Sequence, residues 1–218
     1  MKVGTDGVLL GAWAGQLSPV NSQWSTVLDI GTGSGLIALM LAQRFPQAAI
    51  TGIDIDLASV EQARENVEQS PFHNRIGIQH TSLENFCEGK YQLIVSNPPF
   101  YEEDTQSKTE QMHKAKHTSS LTFEQLIEGA VRLLDLDGEL DVILPYSAAE
   151  RFIGMAATHG LYLFRRCDVK GSPTRPFKRT MMAFGRTLRE TEHTLLIIHT
   201  PQNTYSEEYK RLTQAFYL

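Results

Sequence analysis

The residues able to do chemistry fall into three short groups. The first is Asp29-Ile30-Gly31-Thr32-Gly33-Ser34-Gly35. Glycines at this density permit a tight turn and let a ligand come close to the backbone. Asp54 stands 19 residues beyond Gly35, where a carboxylate can accept both hydroxyls of a ribose. A dinucleotide site favours G-x-G-x-x-G, with a pyrophosphate on the helix N-terminus. Here the spacing is G-x-G-x-G, and the acid at the mouth of the loop, Asp29, repels a pyrophosphate and suits a cationic amino group. S-adenosylmethionine has the matching chemistry: an ammonium, a sulfonium and a ribose, with no phosphate.

The second group is Asn97-Pro98-Pro99-Phe100. Its prolines remove two backbone donors and restrict the chain, which leaves carbonyls free to face a ligand. The Asn97 side-chain oxygen and the Pro98 carbonyl are then two acceptors that can hold the two hydrogens of a planar amine, and Phe100 offers a face for a base. Such hydrogen bonds draw an exocyclic amine toward a pyramidal geometry and aim its lone pair. No metal and no covalent intermediate are required.

The third group is basic. Eight Lys and Arg and a single acid, Asp168, lie between Arg165 and Arg189, a local charge of +7, whereas the whole chain carries −5. The remainder therefore holds −12, and a cationic stretch on an acidic body is a candidate phosphate-binding face. Within it Gly171-Ser172-Pro173-Thr174-Arg175-Pro176 reads as a loop, so Arg175, Lys178 and Arg179 can project and are the expected phosphate contacts.

These groups need a scaffold that brings them to one crevice. Thr26–Ile30, Ala49–Ile53, Arg75–Gln79, Tyr91–Ser96 and Glu139–Leu144 read as buried strands. Between them Leu36–Phe45, Asp56–Gln69 (Asp56 as N-cap), Leu121–Leu134 and Ala148–His159 read as helices. Three late strands, Tyr162–Val169, Thr180–Gly185 and Thr194–His199, follow without long helices between them, which predicts antiparallel pairing at that edge. The alternation gives an α/β fold: a doubly wound, mostly parallel sheet with an antiparallel strand near one edge. Ligands of such sheets sit outside the carboxyl ends of the strands, and both the glycine loop and Asn97 follow such ends. One domain over residues 1–218 is expected, with an N-terminal helix and linker (1–25), a cofactor-binding core (26–145) and a C-terminal half carrying the basic loops (146–218).

At 218 residues with 41% hydrophobic and 21% charged residues, composition is that of an ordinary globular chain. No apolar run approaches a membrane span. The segment Val8–Ala14 (VLLGAWA) suits a buried helix better than a signal peptide, since Asp6 precedes it. Two cysteines, Cys87 and Cys167, without a CxxC context fit a reducing compartment, so a cytoplasmic monomer is expected. His113 and His117 share a helical face but lack further ligands, so no metal is expected. Trp13 and Trp24 read as core, and Phe86 as core or as a cap on the cofactor adenine.

With its motifs assembled, the chain resembles class I methyltransferases and, along its full length, the bacterial tRNA(Val) adenine-N6 methyltransferases. The likeness is carried by Lys2-Val3-Gly4-Thr5-Asp6-Gly7 with Leu10-Gly11-Ala12-Trp13, by DIGTGSG and SNPPF, by Lys116-His117, and by Tyr205–Tyr209 with the closing Leu212–Leu218. The resemblance implies a Rossmann-like fold, S-adenosylmethionine as cofactor, and transfer to the N6 of the adenine 3′ of the anticodon in tRNA. It also implies that Thr5 and Asp6 line the methionine end of the pocket, that Asp29 with Gly31, Thr32, Gly33 and Gly35 cradles the amino acid, and that Asp54 and Ile55 meet the ribose. Ser82, where the family commonly has Asp, and Leu83 fall at the adenine. Family members carry residues ahead of this opening segment, so a flap over cofactor or tRNA is expected to be missing. Two rivals use the same tetrapeptide or none of its chemistry: a glutamine or rRNA guanine-N2 methyltransferase, and a binding module without turnover. The basic stretch disfavours a protein substrate, and the intact NPPF disfavours a mere binder.

Overall fold

The computed structural model describes residues 4–16, 24–98 and 121–216. Pro99, Phe100 and the His113–His117 pair lie outside the described residues. Buried β-branched runs become strands: β1 (Thr26–Ile30), β2 (Ala49–Asp54), β3 (Ile76–His80), β4 (Tyr91–Ser96) and β5 (Leu134–Pro145), followed by β6 (Tyr162–Lys170), β7 (Phe177–Gly185) and β8 (Glu192–Ile197). They form one sheet in the order β3-β2-β1-β4-β5-β7-β6-β8. All neighbours pair in parallel except β7, which is antiparallel to both β5 and β6. The outermost strand, β8, runs parallel to β6, because the chain passes around the start of β6 after leaving β7. A single reversed strand therefore meets the expectation of an antiparallel element near one edge.

The helices are α1 (Thr5–Trp13), α2 (Leu36–Arg44), α3 (Leu57–Glu68), α4 (Phe123–Leu133), α5 (Ala149–Thr158) and α6 (Glu207–Thr213). Asp56 caps α3 as its position predicts, accepting from Ser59 N at 2.9 Å. Thr122 and Gln125 close a capping box on α4. Strand residues alternate between two apolar layers. Val27 and Val95 face Leu10 and Leu41 of α1 and α2, while Leu28 and Ile94 face Ile127 and Phe152 of α4 and α5. Trp13 and Trp24 are in the first layer and Phe86 in the second.

The parity that buries Val27 and Ile143 on the α1 face also turns Asp29, Glu139 and Asp141 inward, all of them buried. Arg165 answers the last two: its Nη2 lies 3.2 Å from Asp141 Oδ2 and 3.9 Å from Glu139 Oε1. Its guanidinium sits 3.7 Å from the Trp13 ring centre, and Gly15 N donates to Asp141 at 2.8 Å. The C-terminal end of α1 is thereby fastened to β5 and β6. Burial pushes both carboxyls above the carboxylate range, and the Asp141 charge pushes Glu139 up further.

Three boundaries differ from the sequence pattern. β5 starts at Leu134, because Asp135, Asp137 and Gly138, which resemble a turn, are absorbed by an irregular register against Tyr91 and Leu93. β7 starts at Phe177 and β8 at Glu192, where charged residues hide the alternation. The helix α6 packs Tyr209 into the core although no periodic run announces it.

Candidate active site

Register brings the chemistry together. Ile30 pairs with Ile53 on one side and with Ser96 on the other. Asp54, Gly31 and Asn97 therefore leave three adjacent strands side by side. With strands about 4.8 Å apart, this row is about 10 Å long. The amides of Gly31 and Thr32 donate to the Ile53 carbonyl at 2.9 and 3.0 Å, and Ser96 Oγ donates to the Ile30 carbonyl at 2.9 Å, so the row is tied at both joints.

The loop between β1 and α2 turns on Gly31, Gly33 and Gly35, with φ of 71°, 56° and 79°. A side chain is strained in this left-handed region. Among the described residues, a Cβ at Gly31 would meet no atom within 4 Å, so the loop faces open space there. Asp54 steadies the loop: its Oδ2 accepts from Gly33 N at 2.9 Å and its Oδ1 from Asp56 N at 3.0 Å. Each oxygen keeps a second lone pair for a hydroxyl. Ile55, next to it, is 49% exposed, an apolar surface at the rim.

Asp29 lies beneath the loop, with no exposed surface. Oδ2 accepts from the Thr32 hydroxyl at 2.7 Å, while Oδ1 has no hydrogen-bond partner among the described residues. Burial lifts its pKa to about 7, opposed by hydrogen bonds from Thr32 and the Ala38 amide. A carboxyl buried in this way, under an open glycine loop, fits a ligand that brings positive charge and does not fit a phosphate.

On the other flank, β5 runs three residues past Val142, the partner of Ser96, to Pro145, and β7 runs beside it, with Arg179 opposite Pro145. The two strands rise about 10 Å beyond the end of β4 as a wall next to Asn97. Arg179 Nε donates to Asp6 Oδ2 at 2.7 Å. Asp6 belongs to the first turn of α1, which packs on the start of α2: a Cβ on Gly7 would lie 3.2 Å from Leu36. Arg175 and Lys178 are exposed.

Of the expected residues, Thr5, Asp6, Asp29, Gly31, Thr32, Gly33, Gly35, Asp54, Ile55 and Asn97 thus gather at the carboxyl edge. Asn97 is half-buried and Pro98 buried. Ser82 Oγ accepts from Asn85 N at 3.2 Å and so caps its own turn. Leu83 is core, and its carbonyl accepts from Arg132 at 2.7 Å. Cys87 and Cys167 are both free thiols. Glu124 and Glu128 of α4 and His159 just past α5 hold ligand atoms within 4.8 Å of one another. No local pattern announces the Asp6–Arg179 pair, since 173 residues separate its members. The Glu139–Asp141 spacing does carry a signal, because two acids at i and i+2 of a strand share a face. No described helix is long and apolar enough to cross a membrane.

A family model described as the methyltransferase small domain matches residues 16–157. A tRNA1(Val) (adenine(37)-N6)-methyltransferase of Flavobacterium psychrophilum is 44% identical over 221 residues, covering 100% of this chain and 93% of the relative. One of the same description from Vibrio parahaemolyticus is 42% identical over 219 residues, covering 100% and 89%. Among solved structures, a predicted O-methyltransferase from Agrobacterium tumefaciens superposes with a TM-score of 0.76 at 16% identity, covering 97% and 96%, a likeness of fold.

Proposed function

Because this chain belongs to the tRNA1(Val) (adenine(37)-N6)-methyltransferase family, we propose that it methylates N6 of adenine 37 in tRNA1(Val), using S-adenosylmethionine. The observation that supports the reading is the row Asp54–Gly31–Asn97, which sets a carboxylate, an open glycine loop and a side-chain amide on neighbouring strands. When bound, the cofactor supplies an electrophilic methyl group on a sulfonium. Asp54 accepts the ribose hydroxyls with its remaining lone pairs, and Ile55 lends an apolar surface beside it. Gly31, Thr32, Gly33 and Gly35 give the amino-acid end room against the backbone. Asp29 acts from below: it fixes Thr32 and, when ionised, favours positive charge above the loop. Thr5 and Asp6 close the methionine end from α1. Ser82 and Leu83 flank the adenine end more weakly, Ser82 through the proton of its hydroxyl and Leu83 from the apolar core.

Asn97 and the Pro98 carbonyl accept the two N–H groups of the target amine. An exocyclic amine is a poor nucleophile because its lone pair is delocalised into the ring; holding both hydrogens out of plane localises that pair and points it at the methyl group. By residue type, Pro99 removes a further backbone donor and Phe100 offers the base a face. The base must leave its stack to reach Asn97, which costs a few kcal/mol, and Arg175 and Lys178 recover it by neutralising phosphates.

The test is transfer of a labelled methyl group from the cofactor into tRNA, rRNA and protein pools, with Asn97→Ala as control. Label recovered as N6-methyladenosine 3′ of the anticodon, and a loss of about 100- to 1,000-fold in Asn97→Ala at retained cofactor affinity, is the expected result. Label in glutamine side chains or in rRNA guanine, or no transfer at all, overturns it.

A further inference from the structure

Above the wall beside Asn97, two aromatic rings stand outside both core layers. Tyr146, the first residue after β5, stacks on Phe177, the first residue of β7, with centroids 4.9 Å apart and planes 23° from parallel. Neither ring belongs to an apolar cluster of the interior, and both are half-buried. Cations sit on this pair. Lys170, at the end of β6, holds its ammonium 4.4 Å from the Phe177 ring centre, and Arg166 approaches the Tyr146 ring at 5.4 Å. The two cations differ. Arg166 is bound by Glu150 at 2.7 Å and Asp168 at 2.8 Å and is almost buried, so it is a fixed backing for Tyr146. Among the described residues Lys170 has no acidic partner, and neither have the exposed Arg175 and Lys178 in the adjoining turn and strand.

We propose that the Phe177–Tyr146 stack is a platform for an unpaired base of the RNA, a base next to the one delivered to Asn97. The inference rests on the tRNA reading above and adds to it the surface that grips the loop. A stacked base takes the place of the Lys170 ammonium on the Phe177 ring, and the ammonium moves to the phosphate of the same nucleotide. Both halves of the exchange are favourable to RNA: base–aromatic stacking is tolerant of sequence, and a lysine released from a ring keeps its charge for the backbone. Position agrees with this role. The ends of β4, β5, β7 and β6 are consecutive in the sheet, so Asn97, Tyr146, Phe177 and Lys170 follow one another along the edge. A nucleotide flanking the target, one backbone step from Asn97, meets the wall formed by β5 and β7. A protein substrate has no use for a ring pair bordered by such cations, whereas a single strand offers both a π-face and a phosphate.

Salt dependence separates stacking from charge. Binding of an RNA hairpin carrying the anticodon loop is measured over a range of salt for the full-length chain, against a fully paired duplex of the same length. Phe177→Leu and Tyr146→Leu are expected to weaken hairpin binding about 5- to 100-fold with the slope of log affinity against log salt unchanged. Phe177→Trp should restore it. Lys170→Gln should instead reduce the slope by about 0.7–0.9. Cofactor affinity, read by calorimetry, should be the wild-type value in all four variants. Wild-type hairpin affinity in Phe177→Leu, an equal loss on the duplex, or a parallel loss of cofactor affinity would overturn the platform and leave the rings as structural packing. Methyl transfer by the wild-type protein, run alongside, keeps this failure distinct: tRNA methylation with unaffected variants sinks the platform alone, while hairpin binding that depends on the rings without tRNA methylation sinks the reaction alone.

Discussion

Arg179 of β7 and Asp6 of α1 form an ion pair at 2.7 Å, each with about 30% of its side chain exposed. The basic stretch suggests Arg179 for RNA, and the family resemblance implies Asp6 for the cofactor. Their pairing points to a positioning role for Arg179, which ties the first turn of α1 to the wall next to Asn97. A partly exposed pair is worth about 1 kcal/mol after solvent screening. Arg179→Ala should therefore weaken S-adenosylmethionine binding about fivefold by calorimetry, and leave the salt slope of tRNA binding intact. A reduced slope with unchanged cofactor affinity would return Arg179 to the RNA.

Arg175 and Lys178 should show the opposite pattern. Replacing both with Ala is expected to lower tRNA affinity and to shrink its salt slope by about 0.7–0.9 for each phosphate left unneutralised. Filter binding at several salt concentrations checks this, and an unchanged slope would mean that both side chains are merely solvated.

Asp29 is expected to make cofactor binding depend on pH. Its folded pKa of about 7 lies above the unfolded carboxyl value, so the folded protein holds the extra proton. The stability this lends is complete below the unfolded pKa of about 4 and is lost as pH rises through about 7. Cationic cofactor favours the ionised form. Affinity should accordingly strengthen from pH 6 to pH 8, with proton uptake by buffer visible in calorimetry across buffers of different ionisation enthalpy. Asp29→Asn should flatten that dependence, weaken binding, and raise the melting temperature of the ligand-free protein more at pH 8 than at pH 5.

Arg165 holds two buried acids, and removing it takes away the cation that faces them both. Arg165→Met is expected to cost about 3–5 kcal/mol in urea denaturation. Adding Glu139→Gln and Asp141→Asn to that variant should recover part of the loss, because neither carboxylate then remains to be buried. If the triple variant is no more stable than Arg165→Met, the guanidinium acts through its contact with Trp13 and the carboxyls are incidental.

The parallel half of the sheet is legible because doubly buried strands read as apolar runs between glycine turns, as in Thr26–Ile30 and Tyr91–Ser96. The site is legible for the same reason: Gly31 and Asn97 follow strand ends, and adjacent strands place them together. What the pattern conceals is long range or masked by charge. Phe177-Lys178-Arg179 falls between the expected loop and strand although it is the start of β7, and Asp135 to Gly138 falls between the expected helix and strand although it belongs to β5. Asp29 looks like a ligand at the mouth of the loop, yet parity turns it beneath, where it is wholly enclosed. Pairs such as Arg165–Asp141 depend on which strand lies next to which, information that no local window contains.

Helix α1 precedes every other described element and is among the last whose contacts are completed. Gly15 must find Asp141, Trp13 must find Arg165, and Asp6 must find Arg179, across 126, 152 and 173 residues. During synthesis Val8 can meet Met40 of α2 early, but the contacts that fasten both ends of the helix wait until most of the chain has left the ribosome. At about 5–20 residues per second that wait lasts roughly ten to thirty seconds. Over this interval the nascent protein is an unfinished sheet, and its yield in the cell should depend on what holds α1 in place as much as on the stability of the finished fold.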